Sequence, residues 1–226
     1  MPNRVKIHPE QPKQKQIFEL ADVLLNEGVL LIPTDSQYAL ICDYKNKKGM
    51  DRIRRIRQMD KRDHLSVMCH SLEHVSTFAL LSDSNFKLIK RMIPGAYTFI
   101  LPATREVPRL LVHPKKRTVG IRVPEHPICL SLIRELGRPV MAISAKLPNV
   151  ENGNPATAES RELFLSRFDN LVDAVVDTQQ PLQGEETTIL DLTGNRAELV
   201  RAGLGMEYMT EAFALEGVEL DERALV

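Results

Sequence analysis

The chain has 226 residues, 43% of them hydrophobic, and its 30 basic and 30 acidic side chains leave no net formal charge. A neutral chain has no overall field that draws it to nucleic acid or a membrane, so any anion site must come from local clustering of cations. The length and the even spread of apolar residues predict one domain with a full core. The chain has no apolar run of membrane-spanning length, no secretory signal and three distant cysteines, so we expect a cytoplasmic protein with free thiols.

Helical and extended patterns follow one another along the chain in a mixed order. Apolar residues at helical spacing fill residues 14–27, and Gly28 stands where a left-handed cap residue is expected. The next run, residues 29–32, is apolar at every position, which is typical of a strand covered on both faces. Further helices are predicted at residues 50–59, 72–78, 82–93, 127–136 and 159–168, and further strands at residues 65–69, 97–101, 118–123, 139–144, 171–176, 187–192 and 198–201. This order predicts an α/β fold in which helices flank one twisted, mixed β-sheet.

A basic segment, residues 45–62, follows the first buried strand and its polar end. Cations and hydroxyls both satisfy phosphate oxygens, so this region is a candidate for holding a phosphate-rich ligand. The alternative is an ordinary solvated helix face. Further hydroxyls and arginines stand at the borders of predicted strands, and we expect them to converge on one concave basic cleft. This set comprises Thr34, Ser36, Thr118, Arg122, Ser144, Thr187, Thr188 and Arg201.

Six segments stand in a fixed order along the chain: residues 32–40 (IPTDSQYAL), 94–101 (PGAYTFIL), 118–124 (TVGIRVP), 144–145 (SA), 187–192 (TTILDL) and 201–203 (RAG). Together these segments resemble the YrdC/YciO family, which includes the L-threonylcarbamoyladenylate synthases. The likeness covers nearly all of residues 5–205, and the order of the segments is more specific than any one of them. The sequence of residues 36–40 is more similar to the YciO branch than to the synthase branch. The resemblance implies a YrdC-like domain over residues 1–208 and an acidic C-terminal extension over residues 209–226.

The resemblance also implies a chemistry. In the family's reaction, threonine, bicarbonate and ATP give threonylcarbamoyl-AMP and pyrophosphate, for N6-threonylcarbamoyladenosine formation in tRNA. The carbamate attacks the α-phosphorus, so such a nucleotidyltransferase needs no covalent catalytic residue; it positions anions and neutralises charge, with Mg²⁺ accompanying ATP. Carried over by position, the amino-acid-binding residues are Ser36, Arg122 and Thr187. The ATP-binding residues are Arg57, Thr118, Ser144 and Arg201.

Three departures from the synthase pattern bear on activity. Met59 stands where the synthases have a phosphate-binding arginine, and Met68 stands where they have a histidine near the threonine. Lys146 replaces an asparagine. Losing one charge-assisted contact removes about 1.5–3 kcal/mol. Compensating charge is expected from Lys61, Arg62 or Lys146, although a lysine does not reproduce the bidentate fork of an arginine.

Three interpretations stay open at this point. The first is a nucleotide-dependent enzyme of the synthase type. The second is a YciO-type protein without synthase activity that binds double-stranded RNA or tRNA on a basic surface, in which Arg52, Arg54 and Arg55 contact phosphates. The third is a structural adaptor whose cleft is a relic. The hydroxyls of Ser36 and Thr187 separate the first two, because they have a role in holding threonine and none on an RNA backbone.

Overall fold

The computed structural model describes residues 3–59, 65–148, 158–182 and 184–221. Within these ranges one domain contains seven helices and a mixed eleven-stranded sheet of order β1-β8-β2-β3-β7-β4-β6-β5-β9-β10-β11. The helices are α1 (Gln14–Leu25), α2 (Lys47–Arg57), α3 (Leu72–Phe78), α4 (Asp83–Met92), α5 (Pro127–Leu136), α6 (Ala158–Ser166) and α7 (Met206–Glu216). The strands are β1 (Asn3–Lys6), β2 (Val29–Ile32), β3 (Ala39–Asp43), β4 (Ser66–Met68), β5 (Tyr97–Pro102), β6 (Thr118–Arg122), β7 (Val140–Ser144), β8 (Ala174–Asp177), β9 (Thr188–Asp191), β10 (Ala197–Arg201) and β11 (Leu220–Asp221). The prediction of one α/β domain built on a mixed sheet is confirmed.

Two apolar clusters lie on opposite faces of this sheet. The larger contains Leu31, Val67 and Ile121 from the strands, with apolar side chains from α2, α3, α4, α6 and α7. The smaller contains Leu30 and Ile41 with the apolar faces of α1 and α5. Because neighbouring residues of a strand point to opposite faces, a strand between two helical layers must be apolar at every position. All four residues of β2 are buried, as the uninterrupted apolar run predicts.

The helical cover is unequal on the two faces. On the smaller cluster's face, α1 and α5 pack over the half of the sheet around β8, β2 and β3. The strands β5, β6 and β9 contribute no residue to that cluster, and the burial of β5 alternates along the strand. An alternating strand has one face on the core and one face open. This open part of the sheet is where the candidate site lies.

Short sequence signals explain several local features. Ser71 and Ser82 cap α3 and α4, and their hydroxyls accept hydrogen bonds from the backbone N–H groups of His74 and Asn85. The helix α5 begins at Pro127 and ends at Gly137, which is left-handed with φ 68°. The three cysteines are buried free thiols.

Other local predictions are wrong. The left-handed residue after α1 is Glu27, with φ 62°, and Gly28 does not have positive φ. Glycine is needed at position 28 for space instead, because an added Cβ lies 2.6 Å from the carbonyl oxygen of Val23. The sequence patterns also missed β1, β3 and β11. Of these, β3 matters most, because it pairs antiparallel with both β2 and β7 and holds the loop between β2 and β3 over the open part of the sheet.

The C-terminal segment packs against the domain. The helix α7 contacts α4, and its side chains Met209, Ala212 and Phe213 belong to the larger cluster. The boundary expected between residues 208 and 209 falls inside this helix. Within the described ranges, no helix has the length and apolarity needed to cross a bilayer.

Candidate functional site

A cavity of about 560 Å³ lies over the open part of the sheet. Its floor is made by alternate residues of neighbouring strands, which share one face because the side-chain period of a strand is two. Thus β6 contributes Thr118, Gly120 and Arg122, and β7 contributes Ala142 and Ser144. Small and hydroxylated side chains replace the apolar ones found under α1 and α5. The same sheet face is therefore core at one end and a polar cavity at the other.

An irregularity in β10 brings an arginine to this floor. Ala197 and Leu199 point into the larger cluster, so strict alternation directs residue 201 there as well. The register with β9 shifts between Leu199 and Arg201, and Arg201 pairs with Ile189, which lines the cavity. A bulge adds one residue and re-aims the side chains that follow it. Arg201 consequently reaches the cavity instead of the core.

One end of the cavity contains a buried arginine. Arg122 forms an ion pair with Asp35, and its Nη2 donates to the hydroxyl of Ser36 at 3.0 Å. The backbone N–H of Glu125 donates to the second carboxylate oxygen of Asp35 at 2.8 Å. Arg122 is 8% exposed, and its Nε is buried without a hydrogen-bond partner among the described residues. A guanidinium N–H beside a hydroxyl is a suitable donor set for a carboxylate.

The other end contains a bridged group of charges. Glu186 forms ion pairs with Lys146 and Arg201, and the distance from Arg201 Nη1 to Glu186 Oε2 is 3.0 Å. Arg201 also donates from Nε to the carbonyl of Thr187 at 2.9 Å and from Nη2 to its hydroxyl at 2.8 Å. Arg57 Nη1 donates to the carbonyl of Lys146 at 3.0 Å. Three cations from α2, β10 and the end of β7 are thus held around one carboxylate.

These charges shift the acidity of Glu186. Partial burial, the largest single influence, raises the pKa of its carboxyl. The hydrogen bond from Lys146 and the positive charges of Arg201, Lys146 and Arg57 act in the opposite direction and together lower the pKa below its ordinary value. Glu186 is therefore ionised at neutral pH.

All seven residues assigned to ligand binding from the sequence line this one cavity: Ser36, Arg57, Thr118, Arg122, Ser144, Thr187 and Arg201. Lys146 and Met68 also line it. The amino-acid and ATP roles given to them remain predictions. Convergence arises because β6, β7 and β9 share a sheet face, while α2 and the loop after β2 border it.

Other residues from the sequence analysis lie elsewhere. Arg52, Arg54 and Arg55 are not part of the cavity lining, and Arg52 forms an ion pair with Asp173 at 2.7 Å. Met59 is half-buried against the larger apolar cluster and does not line the cavity. Lys61 and Arg62 lie outside the described residues.

The sequence analysis missed several residues of the lining, among them Thr98, His113, Lys116 and Glu186. The sequence contained a signal for Thr98: it is a polar residue between the apolar Tyr97 and Phe99 of a strand, which indicates a side chain on the open face of the sheet. His113 and Lys116 precede β6 in a long irregular segment that gives no periodic signal. In the part of the chain that the structure describes, no group of three or more His, Cys, Asp or Glu is placed to hold a metal ion. Mg²⁺ therefore stays an expectation tied to ATP.

The fold and site define an α/β protein with a ligand-sized cavity on the open face of a mixed sheet. Cavities of roughly 300–1,000 Å³ are typical of small-molecule sites. The lining described by the structure includes five Lys or Arg side chains against two carboxylates: Arg57, Lys116, Arg122, Lys146 and Arg201 against Glu186 and Asp191. Asp35, next to this lining, pairs with Arg122, and Glu186 pairs with Lys146 and Arg201. The preference for an anionic ligand therefore stays a prediction.

Comparison with known proteins identifies the family. Residues 22–203 match the model of the Sua5/YciO/YrdC domain, which is described as "Telomere recombination". The chain therefore belongs to the Sua5/YciO/YrdC family, as the sequence segments predicted.

Two relatives illustrate the range of this family. The chain is 38% identical over 199 residues to the uncharacterized protein YciO of Escherichia coli K12, covering 88% of this chain and 94% of YciO. It is 30% identical to the threonylcarbamoyl-AMP synthase of Bacillus subtilis, covering 83% of this chain but 53% of the synthase. The chain thus spans about half the length of that synthase.

Solved structures agree with this assignment. The crystal structure of E. coli YciO superimposes with a TM-score of 0.83 at 37% identity, covering 91% of this chain and 97% of YciO. The Sua5 protein of P. abyssi, crystallised with L-threonine, superimposes with a TM-score of 0.82 at 24% identity, covering 98% of this chain and 62% of Sua5. At that identity, the second likeness shows a shared fold.

Proposed function

We propose that this protein uses the cavity to bind ATP and L-threonine and forms threonylcarbamoyl-AMP from them and bicarbonate, releasing water as the carbamate forms and pyrophosphate as the carbamate attacks ATP. One observation carries the proposal: the residues that the family pattern assigns to both substrates surround a single cavity of suitable size. Threonylcarbamoyl-AMP synthases among the relatives, and the Sua5 structure with L-threonine, supply the substrate classes.

The amino acid is assigned to the end that contains Arg122. Its buried guanidinium has an Nε–H with no partner among the described residues, and a threonine carboxylate supplies the missing acceptor. The hydroxyl of Ser36 lies 3.0 Å from Arg122 Nη2 and extends the polar contact surface. The hydroxyls of Thr98 and Thr187 lie 3.2 Å apart, and Arg201 also donates to that of Thr187. Threonine binding at this end brings its amino group, as the carbamate, towards the middle of the cavity.

The triphosphate is assigned to the end that contains Arg57, Lys146 and Arg201. Cations that are fixed before the ligand arrives stabilise charge that develops on the α-phosphate without reorganisation during the reaction. The carbamate oxygen attacks phosphorus and pyrophosphate leaves, so these residues bind and orient the reactants and carry no covalent intermediate. Met59 contributes no charge and packs against the larger apolar cluster outside the cavity lining, so the positive charge for the triphosphate is assigned to Arg57, Lys146 and Arg201.

The test is a substrate-dependence assay. The purified protein is incubated with ATP, Mg²⁺, L-threonine and bicarbonate; pyrophosphate is quantified and threonylcarbamoyl-AMP is sought by mass spectrometry. We expect pyrophosphate only when all three substrates are present. Ser36→Ala is expected to raise KM for threonine more than KM for ATP, whereas Ser76→Ala, at an exposed serine of α3 outside the cavity lining, serves as the matched hydroxyl control. Pyrophosphate release no greater than that of heat-treated protein would refute the synthase proposal.

Binding of double-stranded RNA is the second candidate, and one observation favours it. Lys45, Lys47 and Arg55 are exposed on or next to α2, away from the cavity lining. Such cations suit phosphate contacts on an RNA duplex, with affinity that falls steeply as salt rises.

A fluorescence-polarisation titration with an RNA duplex at several salt concentrations tests this candidate. The Arg54→Glu/Arg55→Glu variant is expected to weaken binding and lower the salt slope. The matched control is Lys87→Glu/Lys90→Glu on α4, where both lysines are exposed. An RNA affinity that does not change with salt concentration, or that falls equally in both variants, would exclude an RNA-binding surface on α2.

A further inference from the structure

Glu186 is an acidic residue at the cationic end of a cavity to which we assign anionic ligands. Its two carboxylate oxygens are used separately, Oε1 by Lys146 and Oε2 by Arg201. These are two of the three cations to which we assign phosphate contacts. Carboxylate and phosphate oxygens accept the same charge-assisted hydrogen bonds, so Glu186 and a phosphate group compete for the same donors.

The backbone around Glu186 is fixed. Its carbonyl oxygen accepts the N–H of Leu204 at 2.9 Å, and an added Cβ at Gly203 lies 2.3 Å from the same oxygen. The next residue, Thr187, is held by Arg201 through both its carbonyl and its hydroxyl. Any adjustment at this position is therefore confined to the glutamate side chain.

The side chain has room to move. The side chain of Glu186 is 33% exposed, as is that of Arg201, so water reaches the ion pair. Exposed ion pairs are weak because water screens them, and their partners exchange at little cost. A ligand with several phosphate charges can thus replace the carboxylate, while a weakly bound single anion cannot.

We propose that Glu186 is an internal competitor that determines which anions enter this cavity, limiting it to polyphosphates. This inference rests on the proposed function, since it deepens the role of the cationic end of the same cavity. In the absence of a ligand, the Glu186 carboxylate holds Lys146 and Arg201 in place. When a di- or triphosphate binds, its oxygens replace the carboxylate as the acceptors for both cations, and the glutamate side chain rotates away. The same competition keeps inorganic monophosphate and free carboxylates, including that of threonine, out of the phosphate position.

The test is isothermal titration of inorganic pyrophosphate into the full-length protein and two charge-matched variants. Glu186→Gln keeps the shape of the side chain and removes its charge. Glu185→Gln removes the same charge from an exposed neighbour that is not part of the cavity lining. We expect Glu186→Gln to bind pyrophosphate about tenfold more tightly than the parent and Glu185→Gln to stay within about twofold of it. Inorganic phosphate should bind detectably only to Glu186→Gln.

The outcomes separate this inference from the proposed function. Tighter binding by Glu186→Gln, including binding where the parent shows none, supports the inference. Equal affinity of the parent and Glu186→Gln, or weaker binding by Glu186→Gln, overturns it and leaves the nucleotide site standing. Failure of every variant to bind pyrophosphate or ATP at millimolar concentration overturns both. Thermal melting of each variant verifies that it is folded before titration.

Discussion

Arg122 and Asp35 form a buried ion pair whose contribution to stability is measurable. Both side chains are 10% exposed, and Arg122 also donates to the hydroxyl of Ser36. Replacing Arg122 with methionine removes the charge but keeps most of the apolar length of the side chain. Among the described residues, the carboxylate of Asp35 then keeps one donor, the N–H of Glu125 at 2.8 Å.

The expected cost follows from this geometry. Breaking a buried ion pair by removing one partner costs about 3–5 kcal/mol, because the other charge is left desolvated. The remaining backbone donor favours the lower end, about 3 kcal/mol. For a chain of this size, a change of 1 kcal/mol shifts Tm by about 2–4 °C, so Arg122→Met should melt about 6–12 °C lower. The Asp35→Asn/Arg122→Met double variant leaves no uncompensated charge and should recover about 1–2 kcal/mol relative to the sum of the single changes.

Urea denaturation of the parent, both single variants and the double variant provides the free energies of unfolding. Arg52→Met is the control, because its ion pair with Asp173 is half-exposed, at 35% and 42%, and should contribute less than about 1 kcal/mol. A coupling energy below about 0.5 kcal/mol, or equal costs for Arg122→Met and Arg52→Met, would refute the reasoning that burial makes the Asp35–Arg122 pair strong.

Three further predictions concern stability. Gly203→Ala should lower the free energy of unfolding, measured by urea titration, by about 2 kcal/mol or more, because the new Cβ lies 2.3 Å from a backbone oxygen. Gly194→Ala, whose new Cβ has its nearest neighbour at 3.4 Å, should be nearly neutral. Similar losses of stability in the two variants would contradict this prediction. Burial lowers the pKa of His126 to about 4. Between about pH 6.5 and pH 4, the unfolded chain therefore binds a proton at this histidine that the folded protein does not bind. Stability should therefore fall by about 3 kcal/mol between pH 6.5 and 4 from this group, and His126→Gln should remove that part of the slope; an unchanged slope would count against it. Phe99→Ala, at a side chain that is 1% exposed, should cost about 3–5 kcal/mol, against less than about 1 kcal/mol for Phe18→Ala, where the side chain is 61% exposed.

Local signals in the sequence were sufficient wherever the physics is local. A strand buried on both faces must be apolar throughout, and β2 shows this at residues 29–32. A helix that begins with proline and ends at a left-handed glycine is specified by backbone geometry, so α5 was predicted at its exact bounds. Six of the eight hydroxyls and arginines selected at strand borders line the cavity, but Thr34 and Thr188 do not, because their hydroxyls donate to the backbone carbonyls of Gln37 and Leu204 instead.

Contacts between distant segments were decided by the tertiary structure. The pairing of β1 with β8 joins residues about 170 positions apart, and no local pattern contains that information. Strict alternation would have placed Arg201 in the core, and only the bulge in β10, defined by pairing with β9, turns it into the cavity. The ion pairs of Glu186 with Lys146 and Arg201 likewise depend on three segments meeting in space. The sequence by itself determined which residues are polar at the ends of buried strands; the three-dimensional pairing of those strands determined which of them face one another, because side-chain direction depends on register rather than composition.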